Sequence, residues 1–348
     1  MTTIPLDETR LNQFVMTAVG ELGATLNAAL VVIGDRLGLY KALAGAGGVT
    51  PRELADRTQT NERYVREWLN AQAAGGYVTY ADGRYTLPAE HAFALADEDS
   101  PVFLQGAFQL MVAAVQDQPK IAEAFKSGAG VGWHQHGHDL FEGCERFFRP
   151  GYQHNLTQTW IPALDGVEEK LRNGGRVADV GCGHGASTTI MADAYPESGF
   201  IGFDYHDASV QAANEKAAGK ASFAVATAQD FPGVGYDLVT TFDCLHDMGD
   251  PVSAAAHIRE ALAPDGTWLL VEPYAGDTVE ENLNPVGRVY YAVSTLVCTP
   301  ASLSQEVGLA LGAQAGEARL RDVAGAAGFS RFRRVAETPF NLVFEVRP

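Results

Sequence analysis

Twelve residues, Arg176 to Ser187, reading RVADVGCGHGAS, restrict what this chain can fold into more than any other stretch. An apolar run, Val177 to Val180, leads into glycines at alternate positions, Gly181, Gly183 and Gly185, and a helix-like segment follows from Ala186 to Ala194. A strand, a tight turn and a helix start in that order predict a nucleotide-binding α/β unit, since the turn needs positive φ and backbone N–H groups open to a ligand. The next apolar run, Phe200 to Phe203, ends on Asp204 about twenty residues further on, where a carboxylate can accept both hydroxyls of a ribose.

The glycine spacing is GxGxG, with Asp179 two residues before the first glycine, rather than the GxGxxG of dinucleotide enzymes. This combination resembles the first motif of class I S-adenosylmethionine-dependent methyltransferases. The resemblance runs from Arg176 to Glu272. It implies that S-adenosyl-L-methionine lies over Gly181, Cys182 and Gly183, with its amino acid end near Asp179 and Phe242. Asp204 would then hold the ribose. The adenine would lie between Tyr205 and Phe231, beside Gln229, with Asp230 on its amino group. A nicotinamide cofactor in the same turn is the alternative.

From Gly166 onward predicted strands and helices alternate, which implies a Rossmann-like, mostly parallel α/β sheet with helices on both faces. Strands are expected at Val177–Val180, Phe200–Asp204, Ser222–Ala226, Leu238–Phe242 and Thr267–Val271. A closing hairpin, Arg331–Val335 and Phe340–Val346, supplies a last strand that runs antiparallel. Three regions are expected: 1–100, helical and winged-helix; 101–165, a helical linker and active-site cover; and 166–348, catalytic.

The first of these opens with Leu11, Phe14, Val15, Ala18, Val19 and Leu22 at helical spacing, then a more apolar run from Asn27 to Leu37. A helix apolar nearly all round is central in a core or shared with a second subunit, and a homodimer seam is expected here. Val49 to Leu87 reads as a winged helix. Thr50-Pro51 and Thr60-Asn61 begin its two helices, and Tyr77–Tyr80 and Arg84–Leu87 form its wing. DNA is the usual partner of that shape. Here five arginines between Val49 and Leu87 are matched by five acids, and the whole chain, with 43 acids against 25 bases, carries a formal charge of -18. Such a surface repels phosphate backbones, so no nucleic acid partner is expected.

Cys144, Cys182, Cys244 and Cys298 form no CxxC pair, and MTTIPLDETR has no basic segment ahead of an apolar core. No uninterrupted apolar run reaches about eighteen residues, so no membrane partner is expected and a reducing cytoplasm fits.

The chemistry centres on Thr241 to Asp250, TFDCLHDMGD, after the fourth strand. His246 stands where strand ends point into a cleft, and imidazole, with an ordinary pKa near ~6.5, can take a proton from a hydroxyl at neutral pH. LHDMGD is similar to the LHDWSD-type sequence of small-molecule O-methyltransferases of the caffeate and hydroxyindole type. That resemblance implies that His246 is the general base and that Glu272, in LLVEP, orients it. The family's second supporting glutamate is missing, with Gln314 or Glu317 nearby. The same enzymes carry a non-DNA-binding winged helix ahead of the catalytic domain. Their cofactor-covering segment is similar to His136–Phe141 and Arg146–Tyr152, which implies a small, largely apolar acceptor held by Trp133, Phe148 and Tyr152. Where that family has phenylalanine, asparagine and methionine, this chain has Phe147, Phe148 and Tyr152. His134, His136 and His138, at alternate positions around a glycine, form no helical ligand face, so no metal is expected. An amine or carbon acceptor, or a winged-helix regulator that senses the nucleoside, are the alternative readings.

Overall fold

The computed structural model describes residues 6–348. The first half of the stretch MTTIPLDETR considered above lies outside them. Two compact units divide between Val112 and Ala113.

In the first unit, α1 (Glu8–Arg36) starts on Asp7, whose side chain accepts the Arg10 N–H. After α2 (Leu39–Leu43), α3 (Pro51–Thr58) begins with a reciprocal cap, the Thr50 hydroxyl on the Glu53 N–H and the Glu53 carboxylate on the Thr50 N–H. Asn61 caps α4 (Glu62–Ala74), and β1 (Thr79–Ala81) and β2 (Arg84–Thr86) form the antiparallel wing, followed by α5 (Ala89–Leu95). The core joins Val31, Tyr40, Leu54, Trp68 and Leu69. Trp68 Nε1 donates to the Leu30 carbonyl and Gln72 Nε2 to Asn27 Oδ1, which fastens the last third of α1 to α4.

In the rest of α1, Leu11, Phe14, Val15, Val19 and Leu22, residues of the helix expected to form a seam with a second subunit, are all exposed in the single chain, Phe14 at 70%. The pattern shows which residues share a face, not what covers it. By length and composition alone this helix could also cross a membrane.

Helix α6 (Gln105–Gln116) spans the division, and α7 (Gln118–Ser127) and α8 (His138–Asn155) lead to α9 (Val167–Arg172). The sheet of the second unit comprises β3 (Arg176–Val180), β4 (Gly199–Asp204), β5 (Ser222–Val225), β6 (Tyr236–Phe242), β7 (Leu262–Pro273), β8 (Arg331–Glu337) and β9 (Asn341–Arg347). Their order is β5-β4-β3-β6-β7-β9-β8. Pairings from β5 to β7 are parallel, and β9 lies antiparallel to both β7 and β8, so the last strand alone runs backwards. Helices α10 (Ala186–Ala194), α11 (Asp207–Ala217) and α12 (Pro251–Ala261) connect the parallel strands. Between β7 and β8 stand α13 (Pro285–Val293), α14 (Thr299–Leu303) and α15 (Gly316–Ala326). One face of the sheet is filled by Val239, Trp268, Leu270 and Phe344, and the other by Leu156, Trp160, Leu238 and Leu269. These two layers place the strand reversal beside β3, where a crevice opens at the carboxyl ends.

Candidate active site

The turn after β3 is fixed from behind by a buried carboxylate. Asp179, with no exposed surface, accepts bonds from Ser187 Oγ at 2.7 Å and Thr188 Oγ1 at 2.6 Å at the start of α10, and from Thr240 Oγ1 at 2.9 Å on β6. Burial raises its pKa against the pull of those three hydroxyls. Asp179 therefore shapes the turn and does not line the cavity, contrary to the expectation that it meets a ligand.

Gly181, at φ +76°, has room for no Cβ, which would stand 2.6 Å from Cys244 Sγ. At Gly183 a Cβ would meet nothing within 4 Å, so the backbone there faces open space. Asp204, at the end of β4, accepts the Gly183 N–H on Oδ2 and the His206 N–H on Oδ1, both at 2.9 Å. Its carboxylate thus ties the two strand ends together, and burial pushes its pKa up.

A cavity of about 740 Å³ opens on this corner. Gly181, Cys182, Gly183, Asp204, Tyr205, Gln229 and Phe242 line it at the sheet end, and Trp133, Phe148 and Tyr152 line it from the helical segment. Its volume suits a nucleoside and a small partner. The sequence reading did not assign Glu145, Asp243, Asp247, Asp250 and Glu306, which with Asp204 put six carboxyl groups on its wall, against His184 and no lysine or arginine among the described lining residues. Strand-end position was the available signal for Asp243 and Asp247, because the loop after β6 must face the crevice.

Two expected adenine partners lie elsewhere. Phe231 is a core residue, 1% exposed, packed 5.3 Å from the Phe203 ring and 4.5 Å from His257. Asp230 folds back on its own turn, Oδ1 accepting both the N–H and the hydroxyl of Thr227, which holds its carboxyl below the usual range. Thr227, Ala228 and Gln229 line the cavity instead.

His246 and Glu272 do come together. His246 Nδ1 lies 2.6 Å from Glu272 Oε2, while Glu272 Oε1 accepts the Leu245 N–H at 2.9 Å, so the carboxylate sets both the ring and the turn that carries it. His246 Nε2 is 3.2 Å from Asp247 Oδ1. The ring is buried and does not itself line the cavity; Asp247 does. Burial works to lower the proton affinity of His246, but Asp247 and Glu272 outweigh it and hold its pKa well above the ordinary value. Cys298 Sγ joins His246 and Asp247 so that one ligand atom from each lies within 4.8 Å of the others, a set that could hold a metal. The histidines of the 134–138 segment do not converge: His136 is buried, whereas His138 is 82% exposed beside Glu142.

Tyr152 stacks on Phe148 at 6.1 Å and packs against Phe242, making an aromatic wall. Its hydroxyl lies 3.4 Å from Asp243 Oδ2, and Asn341 Nδ2 donates to Asp243 Oδ1 at 2.7 Å. Glu145 of α8 meets His184 of the glycine turn at 3.1 Å and also pairs with Lys216, which fastens the helical segment to the turn.

Comparison with known proteins gives two family matches. Residues 25–97 match the Rv2258c-like winged HTH domain, and residues 171–308 match a methyltransferase domain. Among curated proteins, the chain is 32% identical over 128 residues to demethylspheroidene O-methyltransferase of Rhodobacter capsulatus, covering 36% of this chain and 32% of that one. It is 28% identical over 97 residues to trans-aconitate 2-methyltransferase of Acidovorax sp., covering 28% and 38%. The chain thus aligns with about a third of the length of these relatives. Human N-acetylserotonin methyltransferase, solved in complex with SAM, superposes with a TM-score of 0.66 at 17% identity, covering 100% of this chain and 99% of that one. An O-methyltransferase family protein from Burkholderia thailandensis gives 0.67 at 18% identity over 96% and 98%. At these identities the shared feature is the fold.

Proposed function

Given a chain that carries a winged-helix domain followed by a methyltransferase domain, we propose that it methylates an oxygen of a small, largely apolar molecule with S-adenosylmethionine as the methyl source. The observation that carries this reading is the continuity of one cavity, which joins the open backbone of Gly183 and the Asp204 carboxylate to the aromatic wall of Phe148 and Tyr152 and to Asp247.

The residues fit the nucleoside. Open space beside Gly183 admits a ligand against the backbone. A carboxylate offers about four lone pairs, so Asp204 can take a ribose diol while keeping its two backbone bonds. Gln229 and the backbone of Ala228 are placed for the base, and Cys182 and Phe242 for the remainder. When bound, the cofactor supplies an electrophilic methyl group on a sulfonium.

The chain's own work is to hold the acceptor and remove its proton. Trp133, Phe148 and Tyr152 bury the acceptor's apolar body. Glu272 fixes Nδ1 of His246, leaving Nε2 toward Asp247 at the cavity wall, and His246 receives the hydroxyl proton on that side. Because two carboxylates favour the charged ring, the fraction able to accept a proton grows as pH rises. The buried position of His246 also favours a second reading, an amine or carbon acceptor that needs no strong base. Sequence balance in the winged helix and the exposed stripe of α1 support a homodimer rather than a DNA complex, in the cytoplasm.

Isothermal titration with S-adenosylhomocysteine tests the cofactor assignment, and no binding at millimolar concentration would sink it. Labelled cofactor with fractionated metabolites then identifies the acceptor. His246→Ala should keep the titration and lower turnover by about 10²-fold or more. Unchanged turnover removes His246 as base.

A further inference from the structure

His246 has a neighbour that base catalysis does not need. Cys298 ends the wide helical turn Ser294–Cys298, which joins α13 to α14, and turns of this kind occur mostly at functional sites. One ligand atom from its thiol, one from the His246 ring and one from the Asp247 carboxylate lie within 4.8 Å of one another. His246 and Cys298 are buried. The segment after Cys298 is fastened to the turn that carries the other two. Ser302 Oγ donates to the Met248 carbonyl at 2.8 Å, and Gln305 Nε2 donates to the Asp247 carbonyl at 2.9 Å. No sequence motif joins Cys298 to His246, so the spacing of His134, His136 and His138 says nothing of this site.

Three features of this triplet match a tetrahedral zinc site. Glu272 Oε2 meets His246 Nδ1 at 2.6 Å, and a histidine that binds metal through one ring nitrogen commonly gives the other to a carboxylate. His246 Nε2 and Asp247 Oδ1 stand 3.2 Å apart, and two ligand atoms each ~2.0–2.1 Å from a tetrahedral ion are separated by about 3.3 Å. Asp247 Oδ1 is nevertheless buried with no hydrogen-bond partner among the described residues, so that approach has the spacing of two ligands without being a bond between them. Thiol, imidazole and carboxylate together select zinc-like ions over magnesium and calcium, which take oxygen ligands. Asp247 lines the cavity and gives an ion a way in, and three protein ligands leave the fourth position to water.

We propose that His246, Asp247 and Cys298 form a Zn²⁺ site whose occupation switches methyl transfer off. The inhibition rests on the methyltransferase reading; the site does not. On binding, the Cys298 thiol proton and any proton on His246 Nε2 pass to solvent, and the sulfur and nitrogen lone pairs form the bonds to the ion. A ring nitrogen bonded to zinc has no lone pair left for a hydroxyl proton, so the loaded protein cannot activate an acceptor through His246.

The test uses the full chain, stripped with chelator and kept reduced. Competition with a chromophoric zinc indicator should show Zn²⁺ bound with a Kd at or below about 1 μM, unaffected by excess Mg²⁺. Co²⁺ in place of zinc should give the near-ultraviolet charge-transfer band of a thiolate ligand. Cys298→Ser should remove that band and weaken Zn²⁺ by about tenfold or more, with parental far-ultraviolet circular dichroism as the check on folding. Asp247→Asn should weaken Zn²⁺ to a similar degree and keep the band. In turnover assays Zn²⁺ should inhibit over the concentrations at which it binds, and chelator should reverse it. A Co²⁺ complex without the band, a band that survives Cys298→Ser, or bound Zn²⁺ that leaves turnover unchanged or raised overturns the proposal. A metal-free chain that binds no S-adenosylhomocysteine and methylates no acceptor instead overturns the methyltransferase reading, while the titration and the Co²⁺ spectrum still decide the site.

Discussion

Replacing Gly181 by alanine should break the glycine turn in two separable ways. The backbone there has φ +76°, and an L-residue in that region costs roughly 1–2 kcal/mol. The new Cβ would also stand 2.6 Å from Cys244 Sγ and 3.1 Å from Cys244 Cβ, well inside the roughly 3.5–4.0 Å at which carbon atoms rest. Forcing such an overlap into a packed site costs about 1–3 kcal/mol more. The sum, ~2–5 kcal/mol, corresponds to a melting temperature lowered by of order 10 °C for a unit of this size. Cys244→Ala removes the sulfur but neither the backbone strain nor the 3.1 Å approach to its Cβ, so the double variant Gly181→Ala/Cys244→Ala should recover the part due to the sulfur overlap alone. A double-mutant cycle by urea denaturation, followed by near-ultraviolet circular dichroism, isolates that part as a favourable coupling of ~1–3 kcal/mol. Coupling near zero refutes the argument from the Cys244 contact. A Gly181→Ala variant within about 0.5 kcal/mol of the parent refutes the argument from backbone geometry as well.

Asp204→Ala should weaken S-adenosylhomocysteine binding by roughly 10- to 100-fold in isothermal titration, because a hydrogen bond to a charged group contributes about 1.5–3 kcal/mol. Its loss also frees the Gly183 and His206 N–H groups, so the variant should melt earlier. For His246 the linkage has a definite sign. Its folded pKa is raised by Asp247 and Glu272, so the imidazolium stabilises the fold fully below the unfolded value near ~6.5 and that contribution disappears as pH rises through the folded one. Wild type should therefore lose stability relative to His246→Gln on going from pH 6 upward, as measured by urea midpoints; a constant difference would rule out the carboxylate clamp.

Much of this arrangement was legible in the sequence because its signals are local. Apolar runs of strand length between glycine-rich turns marked β3, β4 and β6 to within two residues. Thr50-Pro51 announced a helix start, to which the structure adds a reciprocal cap with Glu53. His246 and Glu272, 26 residues apart, could be paired through the resemblance to the caffeate- and hydroxyindole-type enzymes, and the adjacent parallel strands β6 and β7 bring them together. What failed depended on rotation and on packing. The single turn at Leu245–Asp247 decides whether the ring of His246 or the carboxylate of Asp247 faces the cavity, and its pitch cannot be read from the letters. Phe231 follows Asp230 in the sequence but is drawn inward by Tyr236 five residues on and by Phe203 and His257, which come from a strand and a helix more distant along the chain. His136 finds its partner in Asp117, nineteen residues earlier on no recognisable motif.

The acidic wall of the cavity bears on how a catalytic cycle ends. Under the proposed reaction a sulfonium ion meets a wall of carboxyl groups with no lysine or arginine among the described lining residues, which favours positive charge even though burial pushes Asp204, Asp243 and Asp247 toward their neutral forms. Methyl transfer would leave the sulfur neutral and remove that attraction. On that reading the spent nucleoside, short of one methyl group and one positive charge, is held less strongly by the wall than the fresh one that replaces it.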